Sequence, residues 1–138
     1  MKLKEFNTSN SKMALPGEPT LRINSKAGLL GFSKAASVIL GLTDQTKIIF
    51  VQDEDNPTDW YIKITSEENG FSLRRKENTS EFAFNNTPIA KLILESIKTD
   101  RLKLAFKACG FKICKTPVEI ENEKYWLIIT ADPLNPRS

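Results

Sequence analysis

The sequence predicts a mainly β protein with short helices, built from two tandem β-β-α-β-β repeats that interlock within one domain. Three observations lead there. Short runs of alternating apolar and polar residues dominate the chain, the landmarks of its first half recur in order in its second, and each half alone is too small to bury a good core.

The opening segment, residues 1–19, is polar, with scattered Asn, Ser and Pro, and is expected to be a flexible arm. "TLRIN" alternates as a half-buried strand does, "SKAG" supplies turn chemistry, and "LLGF" is a second short strand. Ser33 suits a helix N-cap, because its hydroxyl can accept from an orphan backbone N–H. The following "KAASVILGL" puts Ala36, Ile39 and Leu40 on one helical face before Gly41 closes the helix. "KIIFVQDE" and "DWYIKIT" are strands flanking "DEDNPTD", whose Asn-Pro step and acids favour a solvated turn.

The second half follows the same order. In "LRRKENTSEFAFNNTPIAKLILESI", Leu73-Arg74 stands where Leu21-Arg22 does, and Phe84-Asn85 stands where Phe32-Ser33 does, with Asn85 as the expected cap. "TDRLKLAF" echoes "TDQTKIIF", and "KYWLIIT" echoes "DWYIKIT" after a longer connection. No Gly/Pro/Ser-rich spacer separates the halves near Ser66 to Gly70. A single domain over 20–131 is therefore expected, formed by repeats 20–66 and 70–131 and followed by a C-terminal tail, 132–138.

Composition excludes several classes. With 138 residues, 40% of them hydrophobic and 27% charged, the chain is an ordinary soluble globular protein rather than one disordered throughout. No apolar stretch has signal-peptide or membrane-span length, so a cytoplasmic location without membrane association is expected, and the sequon Asn78-Thr79-Ser80 then carries no glycan. The chain has no histidine, its carboxylates and lysines are scattered, and it has no glycine-rich phosphate loop. Neither an enzyme with catalytic residues nor a cofactor is expected. "QDEDNPTDW" lacks the ligand spacing and central glycine of an EF-hand and reads as a hairpin turn, so no metal is expected either. Cys109 and Cys114 read as structural thiols; a hairpin or bulge at Gly110 would bring them together, and that alternative stays open. Trp60-Tyr61 and Tyr125-Trp126 read as core or barrel-edge packing before they read as base-stacking platforms.

The stretch "LRINSKAGLLGFSKAASVILGLTDQTKIIF", through Gly28, Phe32, Lys34, Leu40-Gly41-Leu42 and Asp44, resembles the SpoVT/AbrB superfamily of AbrB-like regulators, MazE-like antitoxins and MraZ-like proteins. The resemblance covers Leu21 to Thr65 well and Leu73 to Thr130 loosely. It implies a swapped-hairpin AbrB-like β-barrel, closed here by tandem copies in one chain as an intrachain pseudo-dimer. It further implies binding of double-stranded DNA as a transcription regulator or antitoxin-like factor, through basic side chains of the first strand and the loop after it. Arg22 and Lys26 hold those positions in the first repeat, and Arg74, Arg75 and Lys76 hold them in the second. Asn24 and Lys34 are supporting phosphate contacts.

On physical grounds guanidinium and ammonium groups on one open face meet phosphates, and arginine forks read guanine edges. Glu77 and Glu81 weaken that attraction on the second side. The net charge of +3 leaves the distribution of these cations to decide between a solvated face and a polyanion site. The competing expectation is a protein-interaction module on the same barrel, taking a protein partner through the N-terminal arm. A homo-oligomer is compatible with either.

Overall fold

The computed structural model describes residues 17–97 and 107–137, which form ten strands and two helices. In chain order these are β1 (Thr20–Asn24), β2 (Leu29–Phe32), α1 (Lys34–Leu40), β3 (Lys47–Gln52), β4 (Trp60–Thr65), β5 (Phe71–Ser72) and β6 (Arg74–Arg75). They are followed by β7 (Phe82–Asn85), α2 (Thr87–Ser96), β8 (Ala108–Ile113), β9 (Val118–Ile120) and β10 (Glu123–Arg137). Residues 1–16 of the expected arm 1–19 and the expected strand "TDRLKLAF" lie outside the described residues; Pro19, the last residue of that arm, is instead fully buried, its carbonyl accepting from the Ile113 N–H at 2.9 Å.

The first hairpin forms as its alternation requires. Leu21 lies opposite Phe32, Arg22 opposite Gly31 and Ile23 opposite Leu30. Leu21, Ile23, Leu30 and Phe32 turn into the core while Arg22 faces out. Ser33 caps α1 by accepting from the Ala36 N–H at 3.2 Å, and Gly41 ends it with a left-handed φ of 66°. The buried face of α1 is Ala36, Ser37 and Leu40, with Ile39 only half-buried. Ser37 replaces Ile39 inside because its hydroxyl donates to the Ser33 carbonyl at 2.9 Å, so its burial leaves no unsatisfied group. In α2 the cap is Asn86 rather than Asn85: its Oδ1 accepts from the Ile89 N–H at 3.0 Å. Pro88, which fits only the first turn, places the helix start one residue later than expected.

The strands form one antiparallel sheet in the order β5-β3-β4-β10-β8-β1-β2-β7-β6, with β9 hydrogen-bonded, among the described strands, to β10 alone. The two ends of this order, β5 and β6, are consecutive in the chain and separated only by Leu73, so the sheet curls into a nearly closed barrel. Four of its seams join a strand of the first half to one of the second: β1 to β8, β2 to β7, β3 to β5, and β4 to β10. The core is correspondingly shared, with Leu21, Ile48 and Ile62 packed in one cluster with Phe84, Phe111 and Ile128. At the closure, Phe71 of β5 stacks on Phe84 of β7 with ring centroids 4.9 Å apart, and Phe50 of β3 lies 6.0 Å from Phe84. These rings fill the place where the split strand leaves a short ladder.

Two differences from expectation have clear causes. The segment 132–138, expected as a tail, is strand through Arg137, because β8 offers it a pairing edge: Leu134 lies opposite Gly110 and Arg137 opposite Ala108. β10 pairs with β4 only as far as Ile128, so the edge beyond it carries Pro133 and Pro136 without breaking a ladder there, and the register shifts between Ile129 and Leu134. Trp60 is buried, and its Nε1–H donates to Ser96 Oγ at 2.7 Å, tying β4 to α2. It is thus a packing residue, as expected.

Candidate nucleic-acid interface

Paired residues on adjacent antiparallel strands point to the same side of a sheet. Arg22 pairs with Gly31, Gly31 with Ala83, and Ala83 with Arg74. These four residues form one transverse row on the outer face, the two arginines at its ends and the two smallest side chains between them. Three strand spacings separate Arg22 from Arg74, about 14 Å between backbones. A shallow depression of about 440 Å³ lies over the Arg22 end of this row, lined by Thr20, Arg22, Gly31, Ala83, Lys76 and Glu81, while Arg74 borders a separate hollow with Phe71, Leu73 and Asn85. On its other side Arg22 pairs with Gly110, and a Cβ built there would come within 3.6 Å of Arg22 Nη1 and 3.3 Å of Leu134 Cβ. The guanidinium thus lies beside a strand position kept bare.

The remaining predicted residues divide into two groups. Lys26 is exposed at the tip of the β1–β2 turn, on the same hairpin as Arg22. Asn24 shapes that turn: its Oδ1 accepts from the backbone N–H groups of Lys26 and Ala27, at 3.0 and 3.1 Å. Arg75 does not join the row. It follows Arg74 on the strand, and its Nη2 lies 3.4 Å from Asp44 Oδ2. Lys76 reaches the depression but also lies 3.8 Å from Glu81 Oε2. Lys34, the first residue of α1, faces a separate open cleft of about 980 Å³ shared with Asp44, Arg75, Glu77 and Glu81. The row therefore unites Arg22 with Arg74, the turn adds Lys26, and Arg75 and Lys34 belong to the cleft.

Gly31, Ala83 and Gly110 escape a search for charged residues. Their signal lies in the alternation: in "LLGF" and "FAFN" the outward position between buried neighbours is the small residue in both.

Both cysteines are free thiols. Cys109 is inside the barrel, and burial pushes its thiol up to about 11 against the opposing pull of the Leu134 backbone and Arg22. Cys114 is half-buried just beyond β8. A second cluster joins β4 to β10, where Lys63 Nζ lies 2.8 Å from Glu123 Oε2, which also accepts from the Tyr125 hydroxyl at 3.0 Å. The Lys63 contact holds the Glu123 carboxyl below its ordinary range, and Glu123 in turn holds the Lys63 ammonium above its own. Among the described residues no group of three or more acids and cysteines is arranged to hold a metal ion, and no helix is long and apolar enough to cross a membrane.

No protein-family model, curated protein or solved structure matches this chain.

Proposed function

We propose that the chain is an AbrB-like, double-stranded-DNA-binding regulator, of transcription-factor or antitoxin-like kind, acting by occupying a site rather than by chemistry. The observation that carries this reading is the transverse row Arg22–Gly31–Ala83–Arg74. A B-DNA major groove is about 12 Å wide and admits a two-stranded β-ribbon. A ribbon of β2 and β7 with small central residues can approach closely, while arginines on the flanking strands face the phosphates on either side.

The same reading takes the barrel as a doubled unit whose halves exchange hairpins. What supports it is the pairing scheme: exchanging β1 with β5/β6, β2 with β7, β3 with β8, and β4 with β10 returns the same ring of neighbours. Gly31 opposite Ala83 and Tyr61 opposite Leu127 then sit on the axis relating the halves. On this scheme β8, not "TDRLKLAF", is the counterpart of β3, and Trp126 is the counterpart of Trp60.

Fluorescence anisotropy with a labelled duplex tests the DNA reading. Affinity is expected to fall steeply as salt rises from about 50 to about 200 mM, and R22A/R74A to flatten the log–log slope by about 2. No affinity at low salt, or affinity indifferent to salt, overturns it. A protein-interaction module on the same barrel is the second reading, favoured by β9, which pairs only with β10 and exposes Val118 and Ile120. It corresponds to the outcome in which DNA affinity is absent.

A further inference from the structure

The two cationic hairpins share a backbone plan but differ in what surrounds their charges. In the β1–β2 hairpin no acid occurs between Thr20 and Phe32, both Arg22 and Lys26 are exposed, and neither forms an ion pair among the described residues. Its turn is also braced. The Asn86 N–H donates to the Gly28 carbonyl at 2.7 Å, Asn85 Nδ2 to the Ala27 carbonyl at 3.2 Å, and the Ser25 N–H to the Lys107 carbonyl at 2.8 Å. Lys26 is therefore carried on a turn whose backbone is already committed on both flanks.

The β6–β7 hairpin is built differently. Arg75 is drawn to Asp44 and Lys76 to Glu81, and Glu77 lies in the turn between them. This turn borders the open cleft of about 980 Å³ next to Lys34, where the corresponding part of the first hairpin is hydrogen-bonded to the start of α2. Exposed ion pairs of this kind contribute little to stability. Within a Debye length of about 8–10 Å, however, their carboxylates repel any phosphate approaching the same cations.

We infer that the interface is directional: the β1–β2 hairpin is the principal polyanion-contacting arm, the β6–β7 hairpin keeps Arg74 but has Arg75 and Lys76 offset by Asp44 and Glu81, and the preferred duplex site is asymmetric rather than palindromic. This rests on the DNA-binding reading and goes beyond it, since a twofold barrel alone predicts two equal arms.

Anisotropy titrations of the full chain over a salt series, on one duplex, test it with R22A/K26A, R74A/R75A and D44N/E81Q. K26A alone, at an exposed turn position, guards against misfolding of the double variant. R22A/K26A is expected to lower the salt slope by about 2 and K26A by about 1, whereas R74A/R75A lowers it by about 1, the share of Arg74, because Arg75 is already held by Asp44. D44N/E81Q is expected to bind several-fold more tightly than the unaltered chain, as the second arm's cations are released. Equal losses from the two arginine-containing double variants, or no gain from D44N/E81Q, overturn the directional inference while leaving DNA binding intact. Absence of salt-dependent affinity in the unaltered chain removes both.

Discussion

At the scale of single residues, the positions that shape the candidate interface are those where a side chain is missing. Gly28 has a left-handed φ of 65°, and a Cβ there would run into Thr87 Oγ1 and come within 3.1 Å of the Thr87 backbone nitrogen. Strain and contact act together, so Gly28→Ala is expected to cost on the order of 1–3 kcal/mol and to loosen the first turn from α2. A lowered midpoint in urea denaturation with an unchanged m-value checks this; an unchanged midpoint contradicts it. Much of the candidate site was legible at this scale, because the exposed positions of Arg22 and Arg74 follow from a simple two-residue period and that of Lys26 from the turn after β1. The partner of Arg75 was not: Asp44 is 31 positions from it in the chain, and only folding brings them within 3.4 Å. The turn bonds of Asn24 use its side-chain oxygen, a local arrangement to which Asn is prone, and not Nδ2, the group that would donate to a phosphate.

Among the elements, the weakest part of the barrel is the strand divided at Leu73. β5 and β6 contribute two residues each, too few for their backbone ladders alone to hold the closure. The Phe50, Phe71 and Phe84 rings compensate. Phe84→Ala removes a buried ring from the middle of that group and is expected to cost about 3–5 kcal/mol; Phe71→Ala, at a half-buried position, is expected to cost less. Thermal melts by circular dichroism check the order of the two, and a Phe71→Ala cost equal to or above that of Phe84→Ala contradicts it. The elements legible in advance were those with strong local punctuation, such as "LLGF" bounded by Gly28 and Ser33, or α1 bounded by Ser33 and Gly41. β5, β9 and the long reach of β10 were not legible: strands of two and three residues are too short to show a period. A segment with two prolines, likewise, becomes a strand only when a neighbour such as β8 offers it an edge.

For the molecule as a whole, the four seams between strands of the first and second halves make independent unfolding of either half costly. Trp60 lies in the first half and Trp126 in the second, so a Trp60→Phe and a Trp126→Phe variant each leave one reporter. Their fluorescence transitions in guanidinium are expected to coincide with each other and with the loss of far-UV circular dichroism. Two separated midpoints would mean that the halves stand alone. The row across the outer face carries one last consequence. In an assembly of two identical chains, the residues meeting on the axis are encoded once, and any enlargement is imposed on both sides together. Here Gly31 and Ala83 are specified by different codons, so one flank of the ribbon can be raised by a methyl group, or lowered again, while its opposite number is left alone. Selection can thereby tilt the surface a step at a time.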